Sequence, residues 1–314
     1  MDISYLLLLQ DFRNRINDSI TPFMLCLSDF AVVYLVLIPA FVYWCLNKRS
    51  GLVILAGFSL SRAVNAFLKL TACVYRPWIR DPRVLPYGDA KITATGYSFP
   101  SGHSTSGTAL YGGLAIEAWK NKKLRFASII FAFMIAATLF SRNYLGVHTP
   151  QDVIVGFLST ALVLFAVNRI AAYLDNHPEK ENYFLLGGIV LVVILLFYFM
   201  LKSYPEYYVD GKKIVDPAVM KRNGFTDTGS LAFFCIARFI EKKWVRFEAA
   251  GLNVKGVIVS LLGFIPYLCI EFLLKSPCYS LLGQYAGRFI HAGLLITFIV
   301  LIWPLVIKLV MKQK

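Results

Sequence analysis

The sequence predicts an all-α fold, a polytopic bundle of membrane helices, and three observations carry that prediction. Hydrophobic residues make up 58% of the 314 positions and charged residues only 16%, with a mean hydropathy of +0.63, a balance far too apolar for a soluble domain of this length. Apolar runs near the length that a helix needs to cross a bilayer, about 20 residues, recur along the chain. The charges gather in short breaks between those runs.

Residues 3–23 mix four leucines with Asp11, Arg13, Arg15 and Asp18. That pattern suits an amphipathic helix lying in the interface, and residues 1–25 are assigned to it. A cleaved signal peptide is not expected, because no basic stretch precedes the leucines and no small-residue cleavage site follows them. Nine apolar runs come next: Phe30 to Leu46, Gly51 to Tyr75, Ser104 to Trp119, Leu124 to Phe140, Val153 to Leu174, Tyr183 to Leu201, Gly229 to Ile240, Val254 to Leu274 and Ala286 to Val310. The run from Gly229 is short and ends in charge. It spans only with tilted neighbours, a thinned bilayer or a helix prolonged through its polar flank. The expected organisation is a six-helix core over residues 26–201, an outer-face loop over 202–228 and about three C-terminal spans over 229–314.

With the N-terminus outside, the basic clusters around Lys48, Lys120 to Arg125, Lys180, Lys242 to Lys255 and Lys308 to Lys314 all fall in the cytoplasm. The net charge of +14 is then explained by topology. No compact basic domain with interleaved aromatics is present, so nucleic acid is not an expected partner. The six cysteines show neither metal-type nor disulfide-framework spacing and read as small apolar side chains. All five tryptophans stand near the ends of apolar runs, as interface belts do.

Three patches carry chemistry: Lys69-x6-Arg76-Pro77, Pro100-Ser101-Gly102-His103, and Ser141-Arg142-x5-His148-x3-Asp152. Lys69 and Arg76 are seven residues apart, so on a helix ending at Pro77 both would project from one face and meet one phosphate. Alone, the pair could as well snorkel to headgroups. Ser101 and Gly102 stand just ahead of an apolar run, where amides at a helix N-terminus form an anion site. Ser101 adds a hydroxyl donor, Gly102 lets the backbone come close, and His103 is placed to protonate a leaving oxygen. A Ser-Gly pair by itself is common in loops.

The third patch is the sharpest. Thr149-Pro150 reads as a helix start, with Thr149 as cap and Pro150 at the first helical position. His148 and Asp152, four residues apart, let the carboxylate accept a proton from one imidazole nitrogen and leave the other as nucleophile. Arg142 can fork onto phosphate oxygens. Taken alone, His148 and Asp152 could be an exposed pair worth a few tenths of a kcal/mol. Under the orientation above, the three patches meet at the outer face.

Together the patches resemble the signature motifs of the type 2 phosphatidic acid phosphatase superfamily, K-x6-R-P, P-S-G-H and S-R-x5-H-x3-D, matched at every defined position and in order. The motifs cover residues 69–152, and the apolar layout from about residue 26 to 174 is similar to the family's membrane core. Residues beyond 200 look like an extension found in bacterial members. The resemblance implies a membrane phosphatase that acts on lipid phosphates without metal or other cofactor. His148 would attack phosphorus, Asp152 would hold His148, and His103 would protonate the departing alcohol. Lys69, Arg76, Arg142, Ser101 and Gly102 would bind the phosphoryl oxygens. The substrate classes that share an apolar tail and a phosphate are phosphatidic acid, phosphatidylglycerophosphate, undecaprenyl pyrophosphate and sphingoid phosphates. A lipid phosphotransferase using the same phosphoenzyme is the alternative, and a non-enzymatic lipid-binding protein on the same fold is a further one.

Other features lie outside the motifs. Arg62 falls in mid-run, where an unpaired charge is costly, and is expected to join an interhelical pair supporting Lys69. Glu271 and Arg288 are expected to pair. The segment 202–228, with Tyr204, Tyr207 and Tyr208, is expected to border the site and to help select headgroups.

Overall fold

The computed structural model describes residues 2–313 except Thr95 and Asp210. Its elements in order are α1 (Asp2–Arg15), α2 (Thr21–Val33), α3 (Leu37–Phe41), α4 (Lys48–Ala72), α5 (Pro77–Arg80), α6 (Gly88–Thr93), α7 (Gly102–Lys120), α8 (Arg125–Tyr144), α9 (Pro150–Asn176), α10 (Glu181–Leu201), a hairpin of β1 (Tyr207–Val209) and β2 (Lys212–Val215), α11 (Pro217–Ile240), α12 (Val254–Leu262), α13 (Phe264–Leu273), α14 (Lys275–Thr297) and α15 (Trp303–Val310). Among the described residues every regular element but the hairpin is helical.

Six stretches among the described residues are long and apolar enough to cross a membrane: Lys48–Arg80, Arg125–Tyr144, Pro150–Asn176, Pro178–Leu201, Val254–Leu273 and Lys275–Val310. Three of the nine expected runs differ. Phe30 to Leu46 is not one helix: α2 ends at Val33, and a separate apolar stretch covers Leu37–Leu46. Ser104 to Trp119 lies on α7, whose first half is too polar to qualify. Ser104, Thr105, Ser106 and Thr108 are all buried in protein, so that helix has no need of an apolar surface there. Gly229 to Ile240 is the C-terminal half of α11, which begins twelve residues earlier at Pro217, the polar-flank extension that the sequence allowed.

The chain divides into two compact units. The first comprises residues 1–35, 64–164 and 202–221. Its centre is the α7–α8 pair, which approaches closely because a Cβ at Gly107 would already stand 3.0 Å from Thr138 Cγ2. Helix α2 packs on both. Helix α1 is fastened to the loop after α5, with Arg13 Nη2 donating to Leu85 O at 2.7 Å and Arg80 pairing with Asp2 at 2.7 Å. The segment leading into the hairpin joins this unit through Tyr97 Oη donating to Pro205 O at 3.2 Å and through Lys202 Nζ donating to Thr71 O at 2.7 Å. The segment 202–228 thus holds the hairpin and the first turns of α11.

The second unit comprises residues 36–63, 165–201 and 222–314. Trp44 Nε1 donates to Ile299 O at 2.8 Å, and buried Glu241 collects Lys48 at 2.8 Å and Arg238. Arg62 is paired as expected: its Nε donates to Asp227 Oδ1 at 2.8 Å, joining α4 to α11. Glu271 instead stands 4.0 Å from Lys275, one turn along the chain, while the Arg288 guanidinium lies over the Tyr279 ring. No Glu271–Arg288 ion pair occurs among the described residues.

Candidate active site

The first patch departs from its expected geometry. Helix α4 stops at Ala72, Cys73 takes a left-handed conformation with φ 51°, and Arg76 is extended ahead of α5, with Pro77 opening that helix. Lys69 and Arg76 therefore do not share a helical face. A loop places them instead. Lys69 Nζ donates to the carbonyls of Tyr97 (3.0 Å), Ser98 (3.3 Å) and Pro100 (2.6 Å). Arg76 Nε donates to Gly96 O at 2.8 Å and its Nη1 to Val147 O at 2.9 Å. Both cations thus hold the segment that leads into Pro100-Ser101-Gly102-His103.

Ser101 caps α7, its Oγ accepting from Ser104 N at 3.3 Å, while its own amide donates to Asp152 O at 2.9 Å. Gly102 and His103 open the helix, so their amides have no intrahelical acceptor. Gly156 on α9 explains how closely the two helix starts approach: a Cβ there would meet Ser101 O at 3.0 Å. His103 is mostly buried, with Nε2 4.0 Å from Asp29 Oδ1.

Arg142, in the last turn of α8, is fully buried. Its Nη1 donates to Ser28 Oγ of α2, whereas Nε and Nη2 have no hydrogen-bond partner among the described residues. Those two N–H groups form the side-on fork of a guanidinium, which matches two oxygens of a tetrahedral anion. Burying them without acceptors is costly, and the open fork could take an anion.

The start of α9 has the expected cap. Thr149 N donates to Asp152 Oδ2 at 2.8 Å, and Asp152 N to Thr149 Oγ1 at 3.4 Å, a reciprocal cap with Pro150 at the first helical position. The carboxylate so fixed lies 3.3 Å from His148 Nδ1 and also accepts from Ser98 Oγ. Arg76 Nη1 approaches His148 Nε2 at 3.0 Å. A guanidinium only donates, so Nε2 carries the lone pair and Nδ1 the proton that faces Asp152. Burial, with the adjacent Arg76 charge, pushes the His148 pKa well below 6.5, and Asp152 opposes the shift without overcoming it. The imidazole is therefore neutral at neutral pH, with the Nε2 electron pair unprotonated and facing Arg76. Asn143 Nδ2 holds the His148 carbonyl at 2.9 Å.

All eight residues picked out from the sequence lie in the first compact unit, joined by contacts through Ser98, Ser28 and Asp29. The sequence reading missed those three, along with Asn143. Ser98 carries no pattern of its own. Asp29, an acid at the edge of an apolar run, did offer a signal. Among the described residues no group of three or more His, Cys, Asp or Glu side chains could hold a metal ion.

A family model described as the PAP2 superfamily matches residues 50–175. The chain is 30% identical to phosphatidylglycerophosphatase B of Bacillus subtilis (strain 168) over 179 residues, covering 55% of this chain and 83% of that protein. It is 32% identical over 89 residues to sphingosine-1-phosphate phosphatase 1 of Rattus norvegicus and of Mus musculus, covering 28% of this chain and 21% of each relative. No solved structure matches the chain. With its three motifs gathered at one site and its apolar helices, the chain belongs to the PAP2 superfamily and is a multi-pass membrane phosphatase of the lipid phosphate type.

Proposed function

We propose that the protein hydrolyses lipid phosphates without a metal, through a phosphohistidine at His148, with its site at the outer face of a cytoplasmic membrane. The observation that carries this reading is the pairing of a neutral, oriented His148 with the unpartnered fork of Arg142. Nε2 attacks phosphorus as the bond to the leaving alkoxide breaks, and His103 supplies the proton that makes it an alcohol. Water then attacks the phosphohistidine, His103 takes its proton, and Nε2 leaves with its electron pair. The Arg142 fork, Arg76 and the amides at the start of α7 stabilise charge on the phosphoryl oxygens. Lys69 keeps the loop in place and adds positive charge.

Among substrates, a phosphatidylglycerophosphate-type monoester comes first, because the Bacillus subtilis relative carries that name and is covered over 83% of its length. The hairpin, whose Tyr207 ring lies 5.2 Å from that of Tyr75, is the element proposed to select headgroups. The basic breaks between spans support the outward orientation.

The test is phosphate release in detergent with EDTA from a panel of phosphatidylglycerophosphate, phosphatidic acid, undecaprenyl pyrophosphate and sphingoid phosphate, comparing wild type with His148→Ala. EDTA-resistant release abolished by the substitution is expected. No release from any lipid by folded protein would overturn hydrolysis in favour of transfer to another acceptor or of binding alone.

A further inference from the structure

Resting on that reading, we propose that Asp29 of α2 is a positioning residue for His103, orienting its imidazole and holding the proton destined for the leaving oxygen. Asp29 lies outside all three motifs, yet helix α2 reaches two of them with adjacent residues: Ser28 Oγ accepts from Arg142 Nη1, and Asp29 Oδ1 stands 4.0 Å from His103 Nε2. Packing of α2 against both α7 and α8 fixes that reach.

The two histidines need opposite protonation states in the first transfer. His148 must keep a lone pair, and burial beside Arg76 provides for that. His103 must carry a proton. A carboxylate close to an imidazole favours the imidazolium, whereas a neighbouring cation opposes it. Asp29 therefore does for His103 the reverse of what Arg76 does for His148, and acid and base roles are assigned by separating the environments of two like groups.

The charged groups around this pair come from several elements. Asp29 on α2 faces His103 directly, and Arg142 on α8 and Asp89 on α6 act on Asp29. Lys69 on α4 is turned to the carbonyls of Tyr97, Ser98 and Pro100, and Asp152 on α9 is turned to His148, Thr149 and Ser98. Burial raises the Asp29 pKa, and Arg142 partly offsets the rise. Its side chain is still 43% exposed, so its field on His103 is partly screened. The expected effect is accordingly modest.

The experiment compares wild type, Asp29→Asn and Asp29→Glu across pH, using kcat/KM to report the first phosphoryl transfer. One substrate is a short-chain phosphatidic acid, whose alkoxide leaving group needs a proton. The other is p-nitrophenyl phosphate, whose phenolate departs with little need of one. Asp29→Asn is expected to move the basic limb for the lipid down by about one pH unit and to lower kcat/KM above that limb about tenfold. Turnover of p-nitrophenyl phosphate should change less than twofold, and Asp29→Glu should restore part of the lipid rate. An unshifted limb in folded Asp29→Asn would overturn the inference, as would equal losses on both substrates, which would indicate a role in binding or folding. Wild type inert towards both substrates and the lipid panel would instead remove the phosphatase mechanism itself.

Discussion

Arg76 Nη1 and His148 Nε2, 72 residues apart in sequence, meet at 3.0 Å with a donor against a lone pair. The contact sets the ring's tautomer, and burial, with the charge behind the contact, keeps the ring neutral. It also places a cation beside the nitrogen proposed to bond to phosphorus, where negative charge on the phosphoryl oxygens would collect.

The pH dependence follows from that arrangement. The His148 pKa in the folded protein lies below 6.5, so the acid limb of kcat/KM should fall below pH 6.5 and not at it. The same depression has a stability sign. Above the unfolded value His148 is neutral in both states, and its contribution is fully present. As pH falls through 6.5 the unfolded chain takes up the proton first, and stability drops. Thermal unfolding of wild type should therefore lose more than that of His148→Gln between about pH 7.5 and 5.5, and parallel curves would refute the assignment.

Arg142→Lys keeps the charge and removes the fork. With Nε and Nη2 absent, kcat/KM for a lipid phosphate should fall about 100-fold or more, while Arg76→Lys should disturb the His148 environment as well. Retention of more than a tenth of the activity in folded Arg142→Lys would show that the fork does not grip the phosphate.

Asp152 has two duties that separate by substitution. Asp152→Asn still offers an oxygen to Thr149 N but no longer stabilises a charged imidazole, so kcat should fall about 10³- to 10⁴-fold with little loss of stability. Thr149→Ala removes a cap oxygen, costing about 1 kcal/mol of stability and far less activity. Similar stability loss from both, with similar kinetics, would contradict this division.

The Arg62–Asp227 pair joins α4 to α11 within the second compact unit. Arg62→Leu leaves a carboxylate buried without its cation, at a cost of about 3–5 kcal/mol. Folded yield in detergent should drop sharply while the protein recovered keeps its specific activity. Normal yield with lost turnover would place Arg62 in the chemistry instead.

How much was legible depended on the distance over which a feature is decided. The start of α9 could be read almost atom by atom, because Thr149, Pro150 and Asp152 act within one turn. The spacing of Lys69 and Arg76 suggests one continuous helix, but that helix ends at Ala72. Nothing in the local pattern announced the left-handed Cys73 or the loop that re-aims Arg76. Helix α7 differs for another reason: its run of Ser and Thr leaves it less apolar than the six long stretches, and tertiary burial accounts for those polar residues. Ser98, Ser28 and Asp29 act across 54, 114 and 74 residues, beyond any periodicity in the sequence.

The reciprocal cap between Thr149 and Asp152 also bears on the order in which the site assembles. His148, its carboxylate and the cap span five residues, so that cluster closes with the first turn of α9 at little loop entropy. The Arg76 contact closes a loop of 72 residues and the Arg142–Ser28 contact one of 114, so both wait on tertiary folding. A chain caught between these events would own an aimed imidazole and no anion clamp. The proposed nucleophile and its proposed electrostatic cradle would thus be acquired separately, and competence would arrive only when the long loops shut.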